Sequence, residues 1–106
     1  MAAPPHSQRA TASPASIMPD SETPYMTIHT DIMLFAVARD TLELSGIPAS
    51  SVFADNHGNL VAKFRMEDVK GIVSPPRTTL VLTGLTIEGE PFEGADTVAV
   101  VVPNGK

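Results

Sequence analysis

Apolar and polar positions alternate most cleanly over "NLVAKFRM", residues 59–66. Leu60, Ala62, Phe64 and Met66 fall on one side, and Lys63 and Arg65 on the other. A period of two places successive side chains on opposite faces of a strand, so this stretch predicts a strand with an inward apolar face. "DTLELSGIPASS" follows the same rule, with Leu42 and Leu44 opposed to Thr41 and Glu43, until Gly46 and Pro48 interrupt it. "TTLVLTGLTI" and "DTVAVVV" are longer β-branched runs of the kind that suits a strand covered on both faces or central in a sheet. Ahead of both runs, "EDVKGI" is polar enough for one helical turn closed by Gly71. In "SPPR" the proline after Ser74 keeps that residue out of helix.

"MTIHTDIMLFAVA" supports two readings. As a strand it sets Ile32, Leu34 and Ala36 against Met33, Phe35 and Val37. A short helix fits an apolar run of this length too, and its β-branched and aromatic content favours strand over residues 25–37. The pattern yields five to seven short strands with turn signals between them and almost no helix. That predicts an all-β fold, a small antiparallel β-sandwich. Its expected core is Leu42, Leu44, Leu60, Phe64, Leu80, Leu82, Leu85, Phe92, Val98 and Val100. Met33 and Met66 are expected as core filler, and Met18 and Met26 as tail and strand-edge residues.

Residues 1–24 hold five of the chain's ten prolines and few large apolar side chains. Such a composition buries too little surface to offset its ordering entropy, so a disordered Ala/Ser/Pro-rich tail is expected there. The folded domain is then 25–103, with 104–106 as a C-terminal tail. A domain of roughly 80 residues is stable by a small margin, and with no cysteine it gains neither a disulfide nor a thiolate metal site.

The 106-residue chain carries a formal charge of −5, from 12 acidic against 7 basic residues, and the bases are scattered along it. Nucleic-acid binding calls for clustered positive charge, which this pattern does not offer. No apolar run approaches the roughly 18 residues of a membrane-spanning helix, and the first residues do not read as a secretory signal. His6, His29 and His57 have no short metal-ligand spacing, and the chain lacks GxSxG, GxGxxG and GxxxxGK(S/T). Neither an enzyme nor a cofactor-binding protein is expected.

Four carboxylates, Glu88, Glu90, Glu93 and Asp96, crowd into "IEGEPFEGAD". A turn at Glu88-Gly89, tight or G1-bulged, would reverse the chain there. With a two-residue loop, Ile87 pairs with Glu90 and Phe92 lies opposite Leu85. The carboxylates then divide between turn and solvent, where they discourage edge aggregation and form no catalytic pair. Pro91 would begin a strand at a sheet edge, and Gly94 would form a bulge or bend.

From about Val37, "DTLELSGIPASSV", "DNHGNLVAKFRMEDV" and "TLVLTGLTIEGEPFEGADTVAVV" resemble a family of small β-sandwich modules of bacterial and archaeal surface or secreted proteins. The family's closing hairpin reads "TGxxxDGTPFEGSDTIRV", which "TGLTIEGEPFEGADTVAV" follows closely. The resemblance implies an immunoglobulin-like sandwich in a truncated or divergent copy of the module. It also implies an extracellular or cell-surface setting and a non-catalytic structural or interaction role. The alternative is a soluble protein that binds a peptide or glycan through its loops or a free sheet edge. A protein partner or a second copy could use such an edge; no nucleic acid and no membrane insertion are expected. Where the family often carries a calcium-type "DxDGDG" loop, this chain has Asp55, Asn56, His57, Gly58 and Asn59. Asp55, Asn56 and Asn59 are the nearest approach to a metal loop, but one carboxylate is little charge for a hard cation, so a turn closed by Gly58 is the expectation.

Overall fold

A computed structural model describes residues 6–18 and 22–101. Ten strands run in chain order, the first four being β1 (His6–Ser7), β2 (Ala10–Ser13), β3 (Ser16–Ile17) and β4 (Tyr25–Met33). Next come β5 (Val37–Leu44), β6 (Ile47–Pro48), β7 (Ser51–Ala54) and β8 (Asn59–Arg65), and last β9 (Arg77–Thr86) and β10 (Pro91–Val100). A 3-10 turn, Leu34–Ala36, separates β4 from β5, and one helical turn, α1 (Met66–Lys70), follows β8. The fold is all-β, as the alternation predicts. One sheet has the order β1-β10-β9-β5-β6, with β3 also on β10, and the other has the order β2-β4-β8-β7.

The two sheets meet through their apolar faces. Leu60, Ala62 and Phe64 of β8 and Met26 and Ile28 of β4 pack in one cluster with Leu42, Leu44, Leu80, Leu82, Phe92 and Val98 of the other sheet. Polar atoms inside are satisfied: the Thr30 hydroxyl donates to the Leu60 carbonyl at 2.8 Å. Met66 closes one end, as the α1 turn brings it and Val69 into the core.

Several expectations are corrected. The single strand foreseen across residues 25–37 is two strands in different sheets, because the 3-10 turn carries the chain from one layer to the other. Met33 therefore ends exposed, while Met26 lies wholly in the core. The strand does break before Gly46, at Leu44, but Pro48 lies in the strand that returns from the turn. Ser45 (φ 49°) and Gly46 (φ 93°) form a two-residue turn, and Ile47 and Pro48 return along β5.

The closing hairpin is shifted by one residue from the two-residue register. Leu85 pairs with Pro91 and Phe92 with Gly84. The loop holds three residues, Ile87, Glu88 and Gly89, with Gly89 at φ 86° in a G1 bulge. A one-residue slip moves side chains to the other face. Phe92 is buried, but Leu85, expected in the core, is 38% exposed on the outer face.

The largest departure lies in residues 6–18, expected within a disordered tail. They run between the sheets as β1, β2 and β3. β1 and β3 pair in parallel with β10, and β2 pairs antiparallel with β4 over Ala10–Ser13 and Thr27–Thr30. Ala12 and Ile17 enter the core. Gly94 is not a bulge. It gives clearance, because a Cβ built there would lie 2.6 Å from the Gln8 carbonyl oxygen and 2.9 Å from the Ala10 Cβ. The first five residues, and 104–106 of the expected C-terminal tail, lie outside the described residues.

Candidate functional site

Three connections meet at one end of the two layers: the 3-10 turn, the β7–β8 turn and the β9–β10 turn. Both hairpin turns are built alike. In the first, the Asp55 Oδ1 accepts the backbone N–H groups of His57 (2.7 Å) and Asn59 (3.0 Å), and Gly58 N–H donates to the Asp55 carbonyl. In the second, the Thr86 Oγ1 accepts from Glu88 (3.2 Å) and Glu90 (3.1 Å), and Gly89 N–H donates to the Thr86 carbonyl. A short polar side chain at the first turn position thus satisfies two loop amides in each.

The 3-10 turn bridges them. Leu34 N–H donates to the Gly58 carbonyl and Ile87 N–H to the Ala36 carbonyl, each at 2.9 Å. Met33 covers Gly58, its Cε 3.0 Å from where a Cβ would sit. These main-chain bonds hold two large apolar side chains in the open: Phe35 is 75% exposed and Ile87 68%. Glu88 and Glu90, which follow Ile87 in the turn, are also exposed. Scattered exposed apolar residues are ordinary, but two on loops tied by main-chain hydrogen bonds make this end of the domain a candidate contact surface. Residues 25–37 read as a strand hid this surface, because Phe35 then counts as one face of a sheet.

The residues singled out as a candidate metal loop serve the turn. The Asp55 carboxylate is held below its ordinary range by the N–H groups of Asn59 and then His57. Asn56 and His57 are exposed at the tip, and Asn59 pairs with Met33 at the start of β8. Among the described residues no group of three or more His, Asp or Glu side chains is placed to hold a metal ion.

The four carboxylates of the closing hairpin do not converge. Glu88, Glu90 and Glu93 are exposed. Asp96, expected on the solvent side, lies instead on the inward register with Gly94 and Val98. There its Oδ2 accepts the Ala12 N–H at 2.8 Å. The edge expected near Pro91 is also taken: beyond Pro91, β1 pairs with Phe92 and Glu93.

Two further surfaces stand out. On the outer face of the β2-β4-β8-β7 sheet, the Lys63 ammonium lies 5.6 Å from the ring centres of both Tyr25 and Phe53. Beneath this face Val61, paired with His29 and Phe53, is fully covered. An open cleft of about 550 Å³ lies where Pro24 and Tyr25 meet Arg65, Glu67 and Lys70. No helix among the described residues is long and apolar enough to cross a membrane. No known protein family, curated protein or solved structure matches the chain.

Proposed function

We propose that this chain is a non-catalytic, immunoglobulin-like module of a cell-surface or secreted protein, which engages a protein partner through its Phe35–Ile87 end. The strand orders support the immunoglobulin-like reading. β2-β4-β8-β7 against β10-β9-β5-β6, with the first strand divided between the sheets, is the arrangement expected of a Greek-key sandwich of that class. The setting outside the cell rests on the resemblance of "TGLTIEGEPFEGADTVAV" to the closing hairpin of surface modules.

The observation that carries the binding role is the exposure of Phe35 and Ile87 on loops already tied together by main-chain hydrogen bonds. Pre-set loops lose little conformational freedom on binding, and buried aromatic anchors dominate interface energies. A peptide- or glycan-binding reading has its own support in the Tyr25–Lys63–Phe53 face.

Selection of a displayed peptide library on the intact chain separates the two. Binders that lose affinity for Phe35→Ala and Ile87→Ala, while tolerating Tyr25→Ala, support the loop end. Binders that converge on Tyr25 and Phe53 favour the sheet face. A selection that yields no binder sensitive to either pair counts against both.

A further inference from the structure

We propose that the groove between β10 and β4 is a strand-exchange surface, and that its occupant besides the chain's own β1–β3 is the same segment of a second copy. The groove recognises main chain more than side chains. Gln8 N–H donates to the Glu93 carbonyl at 2.8 Å, Ala99 N–H to the Ala15 carbonyl and Val101 N–H to the Ile17 carbonyl, both at 2.9 Å. Two carboxylates take amides that face away from a ladder: Asp31 accepts from Arg9 at 3.0 Å and Asp96 from Ala12 at 2.8 Å. Gly94 leaves room for the approaching backbone.

The segment itself is lightly anchored. Ala12 and Ile17 are its buried core side chains, whereas β8 supplies Leu60, Ala62 and Phe64 from one strand. A segment held mainly by hydrogen bonds at a sheet margin opens at lower free energy than the core strands. Once open, it leaves unpaired amides and carbonyls on β10 and β4 and the vacated site of Ile17. An identical segment satisfies all of these in the same register, and exchange of identical elements is a low-cost route to dimers. Residues 18–24, seven in all, join β3 on one sheet to β4 on the other. This short tether gives the chain's own strand an effective concentration of order millimolar, so the closed monomer dominates in dilute solution and exchange grows with concentration. The inference stands apart from the loop-end reading, since it uses none of Phe35, Ile87 or their turns.

The chain has no cysteine, which permits a covalent trap. Ser13 and Thr27 are register partners on the outer face, and paired positions in an antiparallel ladder lie within disulfide reach. Full-length Ser13→Cys and Thr27→Cys variants are mixed in a glutathione buffer and the mixed disulfide dimer is quantified. A Thr79→Cys and Thr97→Cys mixture is the control, because those residues pair within the β9–β10 hairpin. A Ser13–Thr27 mixed dimer several-fold above the control, increasing with protein concentration, is the expected result. Yields equal to the control overturn the proposal. So does failure of the double variant to close its disulfide within one chain, which would mean that the segment does not occupy this register.

Discussion

Replacing Gly94 with alanine tests the placement of the first strand. In an ordinary strand this change stabilises by about 0.5–1 kcal/mol, because glycine loses the most backbone freedom on folding. Here the added methyl would sit 2.6 Å from the Gln8 oxygen and 2.9 Å from the Ala10 Cβ. Carbon–carbon contacts are optimal at about 3.5–4.0 Å, so the first strand must withdraw by several tenths of an ångström or more. The 2.8 Å bond from Gln8 N–H to Glu93 is the first to lengthen, and the Ala12–Asp96 bond follows. Overpacking of this kind costs about 1–3 kcal/mol, which outweighs the conformational gain and leaves a net loss of about 1–2 kcal/mol. For a domain of this size that lowers the melting midpoint by about 5–15 °C. Urea titration and thermal circular dichroism measure the loss, and amide exchange locates it at Gln8 and Ala12. Gly89→Ala is the comparison: nothing lies within 4 Å, yet φ is 86°, so its cost is conformational and leaves Gln8 exchange unchanged. A Gly94→Ala protein as stable as the parent, with Gln8 protection intact, would refute the packing argument.

Three more outcomes follow from the same contacts. Leu85→Ser should change stability by about 1 kcal/mol or less, whereas buried Leu82→Ala should cost about 2–5 kcal/mol; equal effects in urea titrations would mean that Leu85 does not lie on the outer face of β9. Asp96→Ala leaves the Ala12 amide without its acceptor and should cost about 1–2 kcal/mol, with Asp96→Asn recovering most of it in the same assay. Asp55 has a depressed folded-state pKa, so its contribution to stability is present above the ordinary aspartate value and is lost as pH falls through the lowered one. Acid titration of Asp55→Asn, which keeps an acceptor oxygen for the turn, should therefore show a shallower loss of stability than the parent, and identical acid profiles would show that the turn does not use the carboxylate.

The parts of the fold that were legible in the sequence are those in which side chains carry the information. β8 reads directly because Leu60, Ala62 and Phe64 alternate with Lys63 and Arg65, and the residues expected in the core are buried except Leu85 and Met33. Leu85 lies three residues from Leu82 on one regular strand, so the alternation itself places it outward; the two-residue loop that sets it opposite Phe92 overrides that parity, whereas Gly89 closes a loop of three. The first strand was illegible for a different reason. Its pairing is made by main-chain amides, and its one large apolar anchor is Ile17. The other trace of it in the sequence is Gly94, far along the chain from Gln8 and Ala10, which it accommodates. The loop-end surface was hidden because the break at Leu34–Ala36 has neither glycine nor proline to announce it.

The parallel pairing of β1 and β3 with β10 also determines how the domain answers to force. His6 lies beside Phe92, and Ile17 beside Val100, near Val101 where the last described residue leaves the sheet. Tension applied through residues 6 and 101 therefore pulls the first and last strands past each other along their length. The ladder bonds at Gln8, Ala99 and Val101 are loaded together instead of being peeled one by one. Rupture then requires them to fail in concert, so a segment that opens readily at rest resists when the load runs lengthwise, and the unfolding rate under pull sets its strength.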